Sequence, residues 1–174
     1  AQKHYVLADI VNQPRLDKVF TRFRPEVVFH AAAYKHVPLV EANCYEAFFA
    51  NVIGTQNLIR CATDYKSQRF VLISTDKAVD PTSVMGSTKR IAEMVVSEAA
   101  ARNPELQTAV VRFGNVINSS GSVIPIFKRQ VIEGRPLTVT HPDMDRYFMT
   151  IKQAVKLVLL AGTLGGTGEV YLLD

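Results

Sequence analysis

The chain has 174 residues, 48% of them hydrophobic and 21% charged, with a mean hydropathy of +0.08. That is the make-up of one ordinary soluble domain with a substantial core. A net charge of +4 and a pI near 9.1 suit an anionic ligand. The basic residues are spread rather than clustered, which argues against a nucleic-acid partner. No apolar run reaches transmembrane length, and Ala1-Gln2-Lys3-His4 does not open a signal peptide. Cys44 and Cys61 sit in apolar helical patterns without metal-ligand spacing, so both are expected to be reduced core thiols and no metal site is expected.

In chain order, Tyr5–Ile10 reads as a short strand ending at Asp9. Asn12 can cap a helix that runs to about Phe23, with Leu16, Val19, Phe20 and Phe23 on one face, and Pro25 stops it. Glu26–Ala33 is a second strand, ending in Ala31-Ala32-Ala33. Small residues there let a flat ligand lie close to the backbone. A loop with Lys35, His36 and Pro38 follows, and Asn43 caps a long helix to about Tyr65. Ser83 starts a helix that reaches Arg102, and Thr108–Asn115 is another buried strand with a polar terminus. After Asn118–Ser122, a polar loop, the pattern predicts a helix over Val123–Gly134 and a short strand at Leu137–Thr140. A charged loop at His141–Arg146, an amphipathic helix at Ile151–Leu160 and a closing strand at Glu169–Leu173 complete the chain. Strands alternating with helices argue for a doubly wound, mainly parallel, Rossmann-like α/β fold.

The stretch Phe70-Val71-Leu72-Ile73-Ser74-Thr75-Asp76-Lys77 organises the rest. Its continuous apolar run marks a strand buried on both faces. It ends in two hydroxyls, an acid and an amine, then turns through Asp80-Pro81 into the next helix. Met85 and Lys89 share one face of that helix and look back at the strand end. In a parallel sheet, ligands bind outside the carboxyl ends of the strands. The ends at Ala31–Ala33, Ser74–Asp76 and Phe113–Asn115 therefore open into one crevice, read here as an active site.

A dinucleotide site ordinarily begins with strand, Gly-x-Gly-x-x-Gly and helix. None of the nine glycines forms that run near the front. Gly162–Gly168 is glycine-rich but follows a helix and precedes a strand, and reads as a surface turn. The expectation is a single α/β domain fragment lacking its N-terminal glycine-rich βαβ unit.

Together, Asp9-Ile10, His30–Ala33, Lys35–Pro38, Asn51–Thr55, Ser74–Lys77, Met85–Arg90 and Arg112–Val116 make the chain resemble the extended short-chain dehydrogenase/reductases. Within them it is similar to the nucleotide-sugar 4,6-dehydratases of the CapD-like polysaccharide biosynthesis family. The resemblance spans essentially the whole chain. It implies that residues 1–115 are the remainder of an NAD-binding Rossmann core and 116–174 the nucleotide-sugar-binding elements. It implies NAD as cofactor and a UDP-linked N-acetylhexosamine, UDP-N-acetylglucosamine, as substrate. In such enzymes hydride leaves C4, water leaves across C5 and C6, and hydride returns to C6. Where the family pattern is Tyr-x-x-x-Lys, Met85 stands in place of the tyrosine. That resembles the large membrane-anchored branch, and implies N-terminal membrane helices in the parent, a cytoplasmic domain anchored at the inner membrane, and a homo-oligomer.

The resemblance assigns the elimination to Asp76 and Lys77: Lys77 removes the C5 proton and Asp76 protonates the departing C6 hydroxyl. A surface ion pair after a strand is the plainer alternative. An ordinary lysine must fall about three pKa units to act near neutrality, roughly 4 kcal/mol of disfavoured charge. The C4 hydroxyl needs another base, either Thr75 through a water or Lys89. Lys89 is expected on the nicotinamide ribose, Asp9 and Ile10 on adenine, and Ala31, Ala32, Ala33, Lys35, Asn51 and Ser74 along the cofactor. Asn51 could equally bridge elements near the site, or be solvated. Lys35, Thr75, Asn115, Ser122 and Val123 are expected around the nucleotide sugar, with Arg146 on its diphosphate, since the guanidinium fork donates in pairs. Two rivals are a nucleotide-sugar 4-epimerase, which would need the tyrosine that Met85 replaces, and a non-catalytic nucleotide-sensing module. Lacking the glycine loop, these residues alone should bind NAD weakly. Tight binding in isothermal titration would contradict that.

Overall fold

The computed structural model describes residues 2–117, 123–139, 141, 147–164 and 166–173. The chain begins with α1 (Gln13–Phe23), β1 (Val27–His30), α2 (Val37–Ala42) and α3 (Cys44–Phe48). A π-helical turn at Phe49–Ile53 leads into α4 (Gly54–Asp64), then β2 (Arg69–Thr75) and a 3-10 turn at Asp76–Ala78. The remainder is α5 (Val84–Arg102), β3 (Gln107–Phe113), β4 (Asn115–Val116), α6 (Val123–Ile132), β5 (Phe148–Met149), α7 (Ile151–Leu164) and β6 (Glu169–Leu173). The main sheet is all parallel in the order β1-β2-β3-β6, and β4 and β5 form a separate parallel pair.

Period-two alternation along β2 builds a core on each face of the sheet. Phe70 and Leu72 pack with Leu16 and Phe20 of α1, Leu58 and Ile59 of α4, and Val96 of α5. Val71 packs the other way, with Val111 of β3 and Val158 and Ala161 of α7. Helices cover both faces, which is the doubly wound arrangement expected. Gly162 lies inside α7 and is buried, not in a surface turn. A Cβ there would stand 3.1 Å from Phe29 Cε1 and 3.2 Å from Val71 Cγ2, so glycine lets the helix approach the sheet.

Helix starts follow local chemistry. The Asn12 side chain accepts from Arg15 N at 3.1 Å, and Ser83 Oγ accepts from Gly86 N at 3.1 Å. Elsewhere the structure departs from expectation. Tyr5–Ile10 is not a strand: Tyr5 and Leu7 are almost fully exposed, and no strand among the described residues offers that segment a ladder. Residues 37–42 are helical rather than loop, because Pro38 fits the first turn of α2. Asn43 makes no cap bond to the helix that follows; its Nδ2 donates back to Leu39 O at 2.9 Å. The long helix is interrupted by the π turn. Leu137–Val139 is not a strand and its apolar side chains are exposed, while Thr140 lies outside the described residues. Cys61 is buried as expected, but Cys44 is exposed, on the outer side of α3.

Candidate active site

The parallel register puts all three strand ends at one edge of the sheet, with those of β2 and β3 level. His30 aligns with Leu72, so β2 runs on past β1 through Ile73, Ser74 and Thr75. Ser74 aligns with Arg112 and Thr75 with Phe113. Beyond the sheet the chain turns at once into the 3-10 turn of Asp76–Ala78. Asp80 then takes a left-handed φ of 41°, and Pro81 leads into α5.

Thr75, Asp76 and Lys77 form one hydrogen-bonded unit at that edge. Thr75 Oγ1 donates to Asp76 Oδ1 at 2.8 Å, and Lys77 Nζ donates to the same oxygen at 2.9 Å. Thr75 Oγ1 also accepts from the Lys77 amide at 3.3 Å. Burial works against the Asp76 charge, but the bonds from Lys77 and Thr75 prevail and hold its carboxyl below the ordinary value. The other carboxylate oxygen faces Gly114, where a Cβ would lie 3.7 Å away. Both the Asp76 and Lys77 side chains are partly open to solvent.

Lys89 enters from α5. It is buried, and its Nζ donates to Ile73 O at 2.6 Å. Burial pushes its ammonium down to about 8, against the opposing pull of Glu93. Met85, one turn earlier, packs with Val40 and Ala47. Gly86 is the contact point between α5 and the Asp76–Ala78 turn, since a Cβ there would overlap the Lys77 carbonyl and lie 3.1 Å from Pro81 Cβ.

A second polar chain links β1, the π turn and α5. Asn51, in the π turn and 1% exposed, accepts from Tyr34 N at 2.7 Å and donates to Tyr34 O and Thr88 Oγ1, each at 3.0 Å. Both amide protons are committed within the protein, so Asn51 bridges the loop after β1 to α5 instead of offering them to a cofactor. Thr55 Oγ1 donates to Asn51 O at 2.6 Å and lies 2.8 Å from His30 Nε2. With its one proton used, Thr55 can only accept from His30, which leaves His30 Nδ1 a bare, buried acceptor without a partner. Burial, then the Lys89 charge, push the His30 imidazole down to about 3.

Among the expected contacts, Ala31, Ala32 and Lys35 are exposed at the β1 end, with Ala33 half-buried. Ser74 is buried and its hydroxyl donates to Glu93 Oε1 at 2.6 Å, so it does not offer that proton to the crevice. Asn115 sits at the β3–β4 junction, where its amide donates to Tyr147 O at 3.2 Å. Val123 opens α6. Asp9 is exposed and turns its carboxylate onto Val11 N at 2.9 Å, while Ile10 lies against Gly54 of α4. Ser122 and Arg146 lie outside the described residues. Sequence reasoning missed His30, Thr55, Glu93 and Arg112. The one available signal was an acid, Glu93, on the α5 face that also carries Lys89, Ala92 and Val96.

This arrangement places an amine and a carboxylate in direct contact where three parallel strands end, with a buried lysine behind them. All 174 residues match the family described as polysaccharide biosynthesis protein. The chain belongs to that family. Its relatives include the capsular polysaccharide biosynthesis protein CapD of Staphylococcus aureus, 53% identical over 97% of this chain and 28% of that protein. An uncharacterized membrane protein of Methanocaldococcus jannaschii is 50% identical over 96% of this chain and 50% of its own length. A UDP-glucose 4-epimerase of Rickettsia conorii is 38% identical over 97% of this chain and 49% of its length. The chain thus spans between about a quarter and a half of these relatives. Among solved structures, Pen from Bacillus thuringiensis superposes with a TM-score of 0.92 at 38% identity, over 98% of this chain and 54% of that one. DesIV of Streptomyces venezuelae, a dTDP-glucose 4,6-dehydratase solved with NAD and TYD, gives a TM-score of 0.85 at 23% identity, over 97% of this chain and 57% of its own. At that identity the likeness speaks to the fold, which is Rossmann-like. No helix among the described residues is long and apolar enough to cross a membrane.

Proposed function

We propose that the protein carrying this chain is an NAD-dependent nucleotide-sugar 4,6-dehydratase of polysaccharide biosynthesis, acting on UDP-N-acetylglucosamine. The observation that carries the reading is the direct Lys77–Asp76 contact at the end of β2, coupled with a thioether, Met85, where a phenol would otherwise serve. Elimination across C5 and C6 needs one group to take a proton and another to give one. As an ion pair the two residues are in the wrong forms for either task. Transfer of the shared proton across the 2.9 Å bond gives a neutral amine and a neutral acid. The amine then takes the C5 proton, the acid protonates the departing C6 hydroxyl, and the pair returns to its ionic form. Charge and protons balance without help from outside.

The residues at the crevice suit a dinucleotide. Ala31 and Ala32 leave the β1 backbone open to a flat ligand, and Lys89 has N–H capacity beyond its bond to Ile73 O. Ala31, Ala32 and Lys89 would hold NAD there, and the cofactor would supply the hydride chemistry that links C4 and C6. Thr75 through a water, or Lys89, would accept the C4 hydroxyl proton. CapD-type relatives and the NAD-containing dehydratase neighbour support this reading. A 4-epimerase is the second reading, favoured by the 38% identity to the Rickettsia protein, but it leaves the Asp76–Lys77 pair without a task. The relative named as a membrane protein supports a membrane-anchored parent; placement of this domain on the cytoplasmic side and assembly of like subunits are part of the proposal. Incubating the full-length protein with UDP-N-acetylglucosamine in deuterated water, then reading the product by NMR, tests it. A 4-keto-6-deoxy product with deuterium at C5 supports dehydration; a C4 epimer supports the rival.

A further inference from the structure

We propose that Glu93 is the positioning residue of this crevice: its buried carboxylate locks the ends of β2 and β3 to α5 and so holds Lys89 and the Thr75–Asp76–Lys77 turn in register. The carboxylate is 3% exposed and fully engaged. Oε1 accepts from Ser74 Oγ at 2.6 Å and Arg112 Nε at 2.8 Å. Oε2 accepts from Arg112 Nη2 at 2.5 Å and Arg90 Nη1 at 3.1 Å. Those four bonds use the accepting capacity of the group. Ser74 and Arg112 are paired across β2 and β3, so one side chain grips both strands at the same rung. Thr75 follows Ser74 directly, and two residues after Arg112 comes Gly114, against which Asp76 rests.

Lys89 lies one helical turn before Glu93, and its bond goes to Ile73 O. Consecutive turns of α5 thus hold consecutive residues of β2, Lys89 by a carbonyl and Glu93 by a hydroxyl. A buried ion pair is a poor way to add stability, since apolar residues of similar volume often do as well. Its use immediately beneath a reactive turn points to geometry. The titratable groups that face Lys89 are His30 on β1, neutral above about pH 3, and Glu93 on α5 itself, which Arg112 of β3 pairs from behind. Of these, Glu93 supports the ammonium form of Lys89.

The inference rests on the dehydratase reading for its kinetic arm only. In the full-length protein, Glu93→Asp keeps the charge but draws the carboxylate back by one methylene, so it cannot reach Ser74 and Arg112 together. The expected result is a loss in kcat on the order of 10²-fold with KM little changed. Glu93→Gln removes the charge, and lysine-resolved NMR titration of the ligand-free protein should show the Lys89 midpoint falling by about one pH unit. Wild-type kcat in Glu93→Asp, or an unmoved Lys89 midpoint in folded Glu93→Gln, would overturn the proposal. Should either variant fail to fold, Ser74→Ala removes one donor and leaves the charge paired. It must lower kcat with KM unchanged and an intact melting transition, and unchanged kcat there counts against the lock. A wild-type protein that dehydrates nothing would tell against the proposed function alone, because the Lys89 titration needs no substrate.

Discussion

Lys89→Met isolates the cost of the buried ammonium. The folded pKa of about 8 against an ordinary 10.5 corresponds to about 3 kcal/mol of disfavoured charge below pH 8. The sign follows from proton counting. Near pH 7 the lysine is protonated in both folded and unfolded chains, so the folded state bears the full penalty. Between about pH 8 and pH 10.5 the folded state has shed its proton while the unfolded chain still holds one, so wild-type stability rises relative to the variant. Methionine has no such titration. The lost bond to the Ile73 carbonyl costs about 1 kcal/mol or more, and its weakening as the ammonium sheds its proton is already contained in the folded pKa. Urea unfolding of both proteins from about pH 7 to about pH 10 should show their difference moving by about 3 kcal/mol in favour of wild type. A difference that stays flat across that range would refute the burial argument for Lys89.

Gly86→Ala should destabilise by about 1–3 kcal/mol, because the new methyl overlaps the Lys77 carbonyl, and lower Tm by about 3–10 °C in calorimetry. Helix propensity alone would raise stability by about 1 kcal/mol, so an increase in Tm would show that the turn yields freely. His30 is held neutral to about pH 3 in the fold but titrates near 6.5 when unfolded, so acidification between those values should cost about 1.4 kcal/mol per pH unit. His30→Gln should flatten that slope in acid-unfolding curves, leaving the Asp76 and Glu93 carboxylates to act only below about pH 4.5. Lys77→Ala in the full-length protein should abolish dehydration while leaving the melting temperature within a few degrees, roughly the range of a surface change. Wild-type turnover there would dispose of the amine as C5 base.

What the sequence determined by itself was local. Asn12 and Ser83 announce their helices because a side-chain oxygen can reach an amide two or three residues on whatever the rest of the chain does. The buried run from Phe70 and its polar end were legible because period and burial are properties of adjacent residues. Tyr5–Ile10 looks like a strand in composition and is not one, since a strand exists only through a partner that the segment does not find among the described residues. The π turn around Asn51 carries no pattern in the sequence. Nor could Ser74, Glu93 and Arg112 be read as one cluster, because helix packing and strand register bring together residues nineteen positions apart in each step. Tertiary structure alone decided which polar groups are spent inside the protein and which stay open to solvent. Burial makes that choice: an unpaired charge or amide is costly away from water, so Asn51, Ser74 and Glu93 turn inward onto one another's elements, while Asp76 and Lys77 stay at the open edge.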